Sequence, residues 1–165
     1  MQAKVKGGDG AVRGVDGEPL TPLELGAWRG MLRVHADLVR RLDAGLRASH
    51  GLSLTSYEAL MLLGTSPRGR MRISELSGAT LLSVSGMSRM VDRLVRDGLV
   101  VRESCEEDGR GAEVSLTARG RGRLRAARAG HLADVRREFL AHFSEDELGA
   151  MAGYWSRIEP DGRGG

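Results

Sequence analysis

The chain has 165 residues, 41% of them hydrophobic and 28% charged, enough for one globular core and little more. No run of about 18 apolar residues occurs, which excludes a membrane-spanning helix. The opening MQAKVKGGDGAVRG lacks the apolar stretch of a secretory signal. Cys105 is the single cysteine, which excludes an intramolecular disulfide and a two-cysteine metal site. A cytoplasmic chain is expected.

The net charge is +3, from 25 Lys+Arg against 22 Asp+Glu. Lysine occurs only at Lys4 and Lys6, so the cations are nearly all arginine, the residue suited to bidentate phosphate and guanine contacts. From Ser66 to Arg125 the sequence carries 12 arginines and 8 acids. That excess permits nucleic-acid binding without proving it, since a solvated arginine-rich surface would look the same.

Residues 1–20 are glycine-rich and aperiodic, and are expected to be a flexible tail, as are residues 161–165. Leu25, Trp28, Leu32, His35, Val39, Leu42 and Leu46 recur at helical spacing and predict a long first helix ending near His50-Gly51. Thr55-Ser56-Tyr57-Glu58 reads as a capping box opening a second helix. Turn chemistry over Gly64–Arg70 ends it. A short helix follows over Ile73–Ala79, then a turn at Thr80-Leu81-Leu82. Ser83 is placed as the N-cap of a further helix, stopped at Gly98.

Leu99–Val101 and Ala112–Leu116 then read as strands of a hairpin with Asp108-Gly109-Arg110-Gly111 at its tip. Thr117 is expected to cap a long helix whose stripe runs from Leu124 through His131 and Phe139 to Phe143. Ser144-Glu145-Asp146-Glu147 is a second capping box, opening a last helix with Leu148, Met151, Trp155 and Ile158 on one side. The expected fold is mainly α with a small β-hairpin wing.

A short helix, a tight turn and a helix that starts with small polar residues form a helix-turn-helix pattern, and the hairpin makes it winged. A recognition helix must put its first turns into the major groove, so bulky apolar residues should not face outward there. The expected outward set is Ser83, Ser85, Ser88 and Arg89, with Arg93 further along, while Val84, Met87 and Val91 are expected inside. Arg89 is the candidate for guanine or phosphate. At the hairpin tip Asp108 and Arg110 are the wing candidates, because a narrow minor groove attracts arginine. Glu103, Glu106, Glu107 and Asp108 would repel phosphate unless some are paired. Arg68 and Arg70 are candidates for phosphate contact.

Asp108-x-Arg110-x-x-x-Val114-x-Leu116-Thr117-x-x-Gly120 resembles the wing signature of the multiple-antibiotic-resistance regulator (MarR) family. Val91–Val100 resembles that family's recognition-helix end and wing entry, and Leu54-Thr55-x-x-Glu58-x-x-x-Leu62 resembles the start of its second helix. The resemblance covers roughly residues 22 to 158. It implies a winged helix-turn-helix in a homodimeric bacterial transcription regulator, probing double-stranded DNA at a pseudo-palindromic operator and released as a repressor by a small aromatic or anionic effector. It also implies that Asp92 orients the wing by pairing with a wing arginine, here Arg110.

On this reading residues 21–160 form a single domain, with 53–117 as the winged helix-turn-helix and 21–52 and 118–159 as a helical dimerisation lobe. Leu25, Trp28, Leu32, Phe139, Phe143, Trp155 and Ile158 are its dimerisation candidates, since a small DNA-binding core cannot cover them all; packing within one chain is the plainer alternative. Trp28, His35, Tyr57 and His50 are candidates for an effector, which would want an arginine and an aromatic wall. Cys105 sits among acids that disfavour its thiolate, against redox sensing. No catalytic motif, metal spacing or cofactor signature is present, so no enzyme activity is expected. The reading from another class is a small-molecule or protein-binding module on a winged-helix scaffold without affinity for DNA.

Overall fold

The computed structural model describes residues 19–80, 82–104 and 112–158. In chain order the elements are α1 (Pro22–His50), α2 (Leu54–Thr65), β1 (Arg70–Arg72), α3 (Ile73–Gly78), α4 (Val84–Arg96), β2 (Val100–Ser104), β3 (Ala112–Leu116) and α5 (Ala118–Glu138), then a 3-10 turn over Leu140–His142 and α6 (Glu145–Trp155). The expected mainly helical fold with a small hairpin is what forms. The chain divides into two compact units, Met1–Val34 and His35–Gly165.

In the first unit, the start of α1 is fixed by a reciprocal cap that the sequence carries as Thr21-x-x-Glu24. The Glu24 amide donates to Thr21 Oγ1 at 3.3 Å, and the Thr21 amide donates back to Glu24 Oε2 at 2.8 Å. Two orphan amides are satisfied at once, the logic of a capping box. The apolar positions of this stretch are not buried: Trp28 is 53% exposed, and Leu23, Met31, Leu32 and Val34 are exposed as well.

The second unit holds the core. Leu46 and Leu52 meet Leu60 and Leu63 of α2, Leu76 of α3, Met87 and Val91 of α4, Val100 and Val114 of the sheet and Ala127 of α5, all buried in one cluster. At about 25 cal/mol for each Å² of apolar surface removed from water, such side chains dominate the stability of the unit. Of the stripe on α1, only Leu42 and Leu46 are buried, while His35 and Val39 remain exposed.

The sheet has order β1-β3-β2, both pairings antiparallel. The hairpin was expected; β1 was not. Its three residues, Arg-Met-Arg, are too short and too charged to show alternation, and the strand exists because β3 offers it a partner, with Arg70 opposite Ser115 and Arg72 opposite Glu113.

Three local expectations need correction. α2 does not start from a box at Thr55. Its N-cap is Ser53, whose Oγ accepts from the Ser56 amide at 3.1 Å. The Leu54 amide is taken by Asp43 Oδ1 of α1 at 2.8 Å, so a contact across the fold moves the start two residues earlier. Second, α5 stops at Glu138, and Phe139 turns away (φ −132°, ψ −64°) into the 3-10 turn. Phe139 and Phe143 therefore pack on each other, ring centroids 5.3 Å apart, instead of continuing one stripe. Third, Ile158 lies beyond the end of α6 and is 72% exposed.

The remaining caps form as expected. Ser83 accepts from the Gly86 amide, Thr117 from the Gly120 amide and Ser144 from the Glu147 amide, and Gly98 takes the left-handed stop at φ +66°. Among the described residues no helix is long and apolar enough to cross a membrane.

Candidate nucleic-acid interface

α3 and α4 are joined by a turn whose backbone is tied down by small hydroxyl side chains. Ser77 Oγ donates to the Leu82 carbonyl at 2.8 Å and Thr80 Oγ1 to the Leu76 carbonyl at 3.0 Å. The second satisfies a carbonyl that the end of α3 would otherwise leave orphaned, and the first ties the helix to the turn before α4. α4 is then anchored by Met87, Met90, Val91 and Leu94, all buried at helical spacing, so its opposite side is held outward by a rigid core face.

Ser83, Ser85, Arg89 and Arg93 lie on that exposed side, and Ser88 is half-buried. Among the described residues neither Arg89 nor Arg93 is held by a carboxylate, whereas other arginines are committed. Arg121 donates to the Leu116 carbonyl at 2.8 Å and Arg123 to the His50 carbonyl at 3.1 Å. Val84 was expected inside and is not: it is 56% exposed at the first position of α4. Met90, not named among the inward residues, is buried instead. The core has room for the helix from Met87 onward, and the first residue after the cap lies beyond it.

Arg68 and Arg70 are less free than expected. Arg68 Nη2 lies 3.2 Å from Glu75, Arg68 Nη1 lies 3.7 Å from Glu113, and Arg70 Nε lies 3.4 Å from the other Glu113 oxygen. Glu113 needs these cations. It sits in the central strand directly opposite Glu103, and like charges at facing positions of an antiparallel pair destabilise it.

The wing is β2 and β3. Its tip, with Cys105, Asp108 and Arg110, lies outside the described residues. Among the described residues Asp92 of α4 meets a wing arginine on the strand: Arg102 Nη1 donates to Asp92 Oδ1 at 3.0 Å. Arg102 was not singled out from the sequence. No alternation in Val100-Val101-Arg102 marks it, and it is singled out only by the strand register. Both partners are substantially exposed, so the pair contributes under about 1 kcal/mol, and its effect is to hold a direction.

At the other end of the wing the geometry explains the signature Leu116-Thr117-x-x-Gly120. Thr117 Oγ1 donates to the Gly98 carbonyl at 2.8 Å while accepting from the Gly120 amide at 2.9 Å. A Cβ on Gly120 would lie 1.9 Å from the Leu99 carbonyl oxygen. The entry strand and α5 touch backbone to backbone there, which only glycine permits.

A family model for the MarR family matches residues 50–111. The structure of AbsC, a MarR family transcriptional regulator from Streptomyces coelicolor, superposes with a TM-score of 0.80 at 35% identity, covering 86% of this chain and 95% of that one. This chain belongs to the MarR family of transcriptional regulators. A second MarR family regulator from that organism, Sco3205, solved in complex with DNA, gives a TM-score of 0.81 at 29% identity over 86% of this chain and 95% of its own. The HTH-type transcriptional repressor YetL of Bacillus subtilis is 30% identical over 100 residues, 61% of this chain. The match spans only 59% of the length of YetL.

In the MarR frame the effector candidates are dispersed in their environments. Trp28 and His35 are exposed and His50 is half-buried. Tyr57 is buried with its ring 4.5 Å from that of His131, and burial pushes its phenol up while nearby Arg128 partly offsets this. Next to it, burial pushes the Glu58 carboxyl above its ordinary value. Among the described residues no three His, Cys, Asp or Glu side chains are grouped so as to hold a metal ion.

Proposed function

We infer that the chain is a sequence-specific DNA-binding regulator that works as a homodimer on a pseudo-palindromic operator, as a repressor released by a small effector. The observation that carries this is α4: a helix pinned by four buried side chains that leaves Ser83, Ser85, Arg89 and Arg93 on its open side. Small hydroxyls let such a helix approach base edges, and uncommitted guanidinium groups reach guanine or phosphate. The DNA complex of Sco3205 supports the same use of the fold.

Arg89 would read a base, Ser83, Ser85 and Ser88 would contact bases or phosphates, and Arg93 would contact phosphate. Arg68 and Arg70 would contribute to phosphate binding only by sharing their charge with Glu75 and Glu113. Arg110, with Asp108, would bring the wing tip to the minor groove, and Asp92 would set the wing's angle through Arg102. Residues 21–52 and 118–159 would form the dimerisation lobe, using Leu25, Trp28, Leu32, Phe139, Phe143, Trp155 and Ile158. An aromatic anion is the effector class implied, with Trp28, His35 and Tyr57 as its candidate contacts. Such a regulator would work in the cytoplasm.

Selection of bound duplexes from random DNA tests the reading. The full chain should enrich an inverted repeat, and a panel of aromatic acids should include one that releases it. Failure to enrich any sequence, with no retention of duplex at low salt, would favour a scaffold without DNA affinity.

A further inference from the structure

We propose that Val84 is a specificity-determining residue whose isopropyl group packs on the 5-methyl of a thymine in the major groove. The proposal rests on the DNA-binding reading above and names one base that reading leaves open. Val84 opens α4 and is 56% exposed, although valine is among the residues most often fully buried.

Among the described residues nothing accounts for it there. Val84 is absent from the buried cluster and from the apolar side chains packed against it, and a β-branched residue adds nothing to helix propensity. Its neighbours have local tasks. Ser83 Oγ accepts from the Gly86 amide at 3.2 Å and lies 3.2 Å from Ser85 Oγ. Val84 therefore supplies the apolar surface of the first turn, between two hydroxyls that lie within hydrogen-bond distance of each other.

The N-terminal residues of a recognition helix are those that meet base edges. Of the groups on the floor of the major groove, the thymine methyl alone is apolar. Against any other base, valine would cover a donor or acceptor without pairing it, which costs free energy. Its χ1 is nearly fixed in a helix, so the contact loses little rotamer freedom. A protein partner is the weaker fit, because among the described residues Val84 is flanked in the chain by the hydroxyls of Ser83 and Ser85.

The test uses the duplex recovered by selection from random DNA with the full chain. Each thymine is replaced in turn by deoxyuridine, which removes only the methyl group, and binding is measured for the wild type and for Val84→Ala. One thymine in each half-site should weaken wild-type binding about fourfold on losing its methyl, the factor expected for one apolar carbon returned to water. The same replacement should leave Val84→Ala unaffected, and Val84→Ser should behave like Val84→Ala. A scan in which no methyl matters, or in which every loss is equal in wild type and variant, overturns the assignment of Val84 and leaves DNA binding standing. A chain that retains no duplex overturns both.

Discussion

Gly120 has room for a hydrogen atom and nothing larger. A Cβ there would lie 1.9 Å from the Leu99 carbonyl oxygen, a backbone atom that no rotamer change can move. Gly120→Ala should therefore cost about 1–3 kcal/mol, the range of overpacking, and lower the thermal midpoint. Gly122, two residues on in α5 with nothing within 4 Å, is the control: Gly122→Ala should stabilise by up to about 1 kcal/mol through helix propensity. If the two variants unfold alike, the account of this corner is wrong.

His131 gives the pH dependence. Among the described residues its buried Nδ1 has no hydrogen-bond partner, and burial pushes its pKa below the ordinary 6.5, with nearby Asp134 offsetting part of this. The unfolded chain then binds the proton more readily, so stability should fall as pH drops through 6.5. His131→Leu should flatten that part of the curve in thermal melts. Glu58 acts with the opposite sign, since its raised carboxyl pKa favours the folded state as it protonates, and its window lies near the ordinary 4.5 and above.

Arg89 is exposed on α4 and uncommitted among the described residues. Arg89→Ala should cost about 1–3 kcal/mol in binding and relax one position of the selected site. An unchanged site preference would remove Arg89 from base reading.

At the scale of elements, what was legible in the sequence is what is locally determined. Ser83, Thr117 and Ser144 each carry a hydroxyl three residues before the amide they cap, so their helices start where the chain says. The start of α2 is different, because Asp43 reaches from α1 to the Leu54 amide, a contact between residues 11 apart in sequence that no local pattern contains. Ser53→Ala should cost about 1 kcal/mol, and Thr55→Ala much less; equal losses in urea unfolding would restore the cap to Thr55. β1 and the break at Phe139 escaped for related reasons. A three-residue edge strand is made by its partner, and the periodicity of α5 runs on through Phe143 although the backbone does not.

The candidate site divides in the same way. Serines at the start of α4 and Arg89 were readable as an open helix face. Val84 was misread because helical periodicity reports which side of a helix is apolar and not how far the core extends along it. Arg102 and the carboxylates holding Arg68 and Arg70 became visible only with the strand register, which sets Glu113 between Arg72 and Glu103.

For the whole molecule, the exposed apolar side chains carry the argument. Each compact unit, taken alone, leaves large ones in water: Trp28, Leu32 and Val34 in the first, and Tyr154, Trp155 and Ile158 in the second. Exposed tryptophan and leucine side chains are suited to association, and in the proposed homodimer a second copy would bring the same surfaces with two-fold symmetry. Two α4 helices held by that symmetry would enter successive major grooves. Hydroxyl-radical footprinting of the wild-type chain on its selected duplex measures this directly. Two protected patches related by a dyad, about 10 base pairs apart from centre to centre, are expected; a single protected patch without a dyad would contradict it.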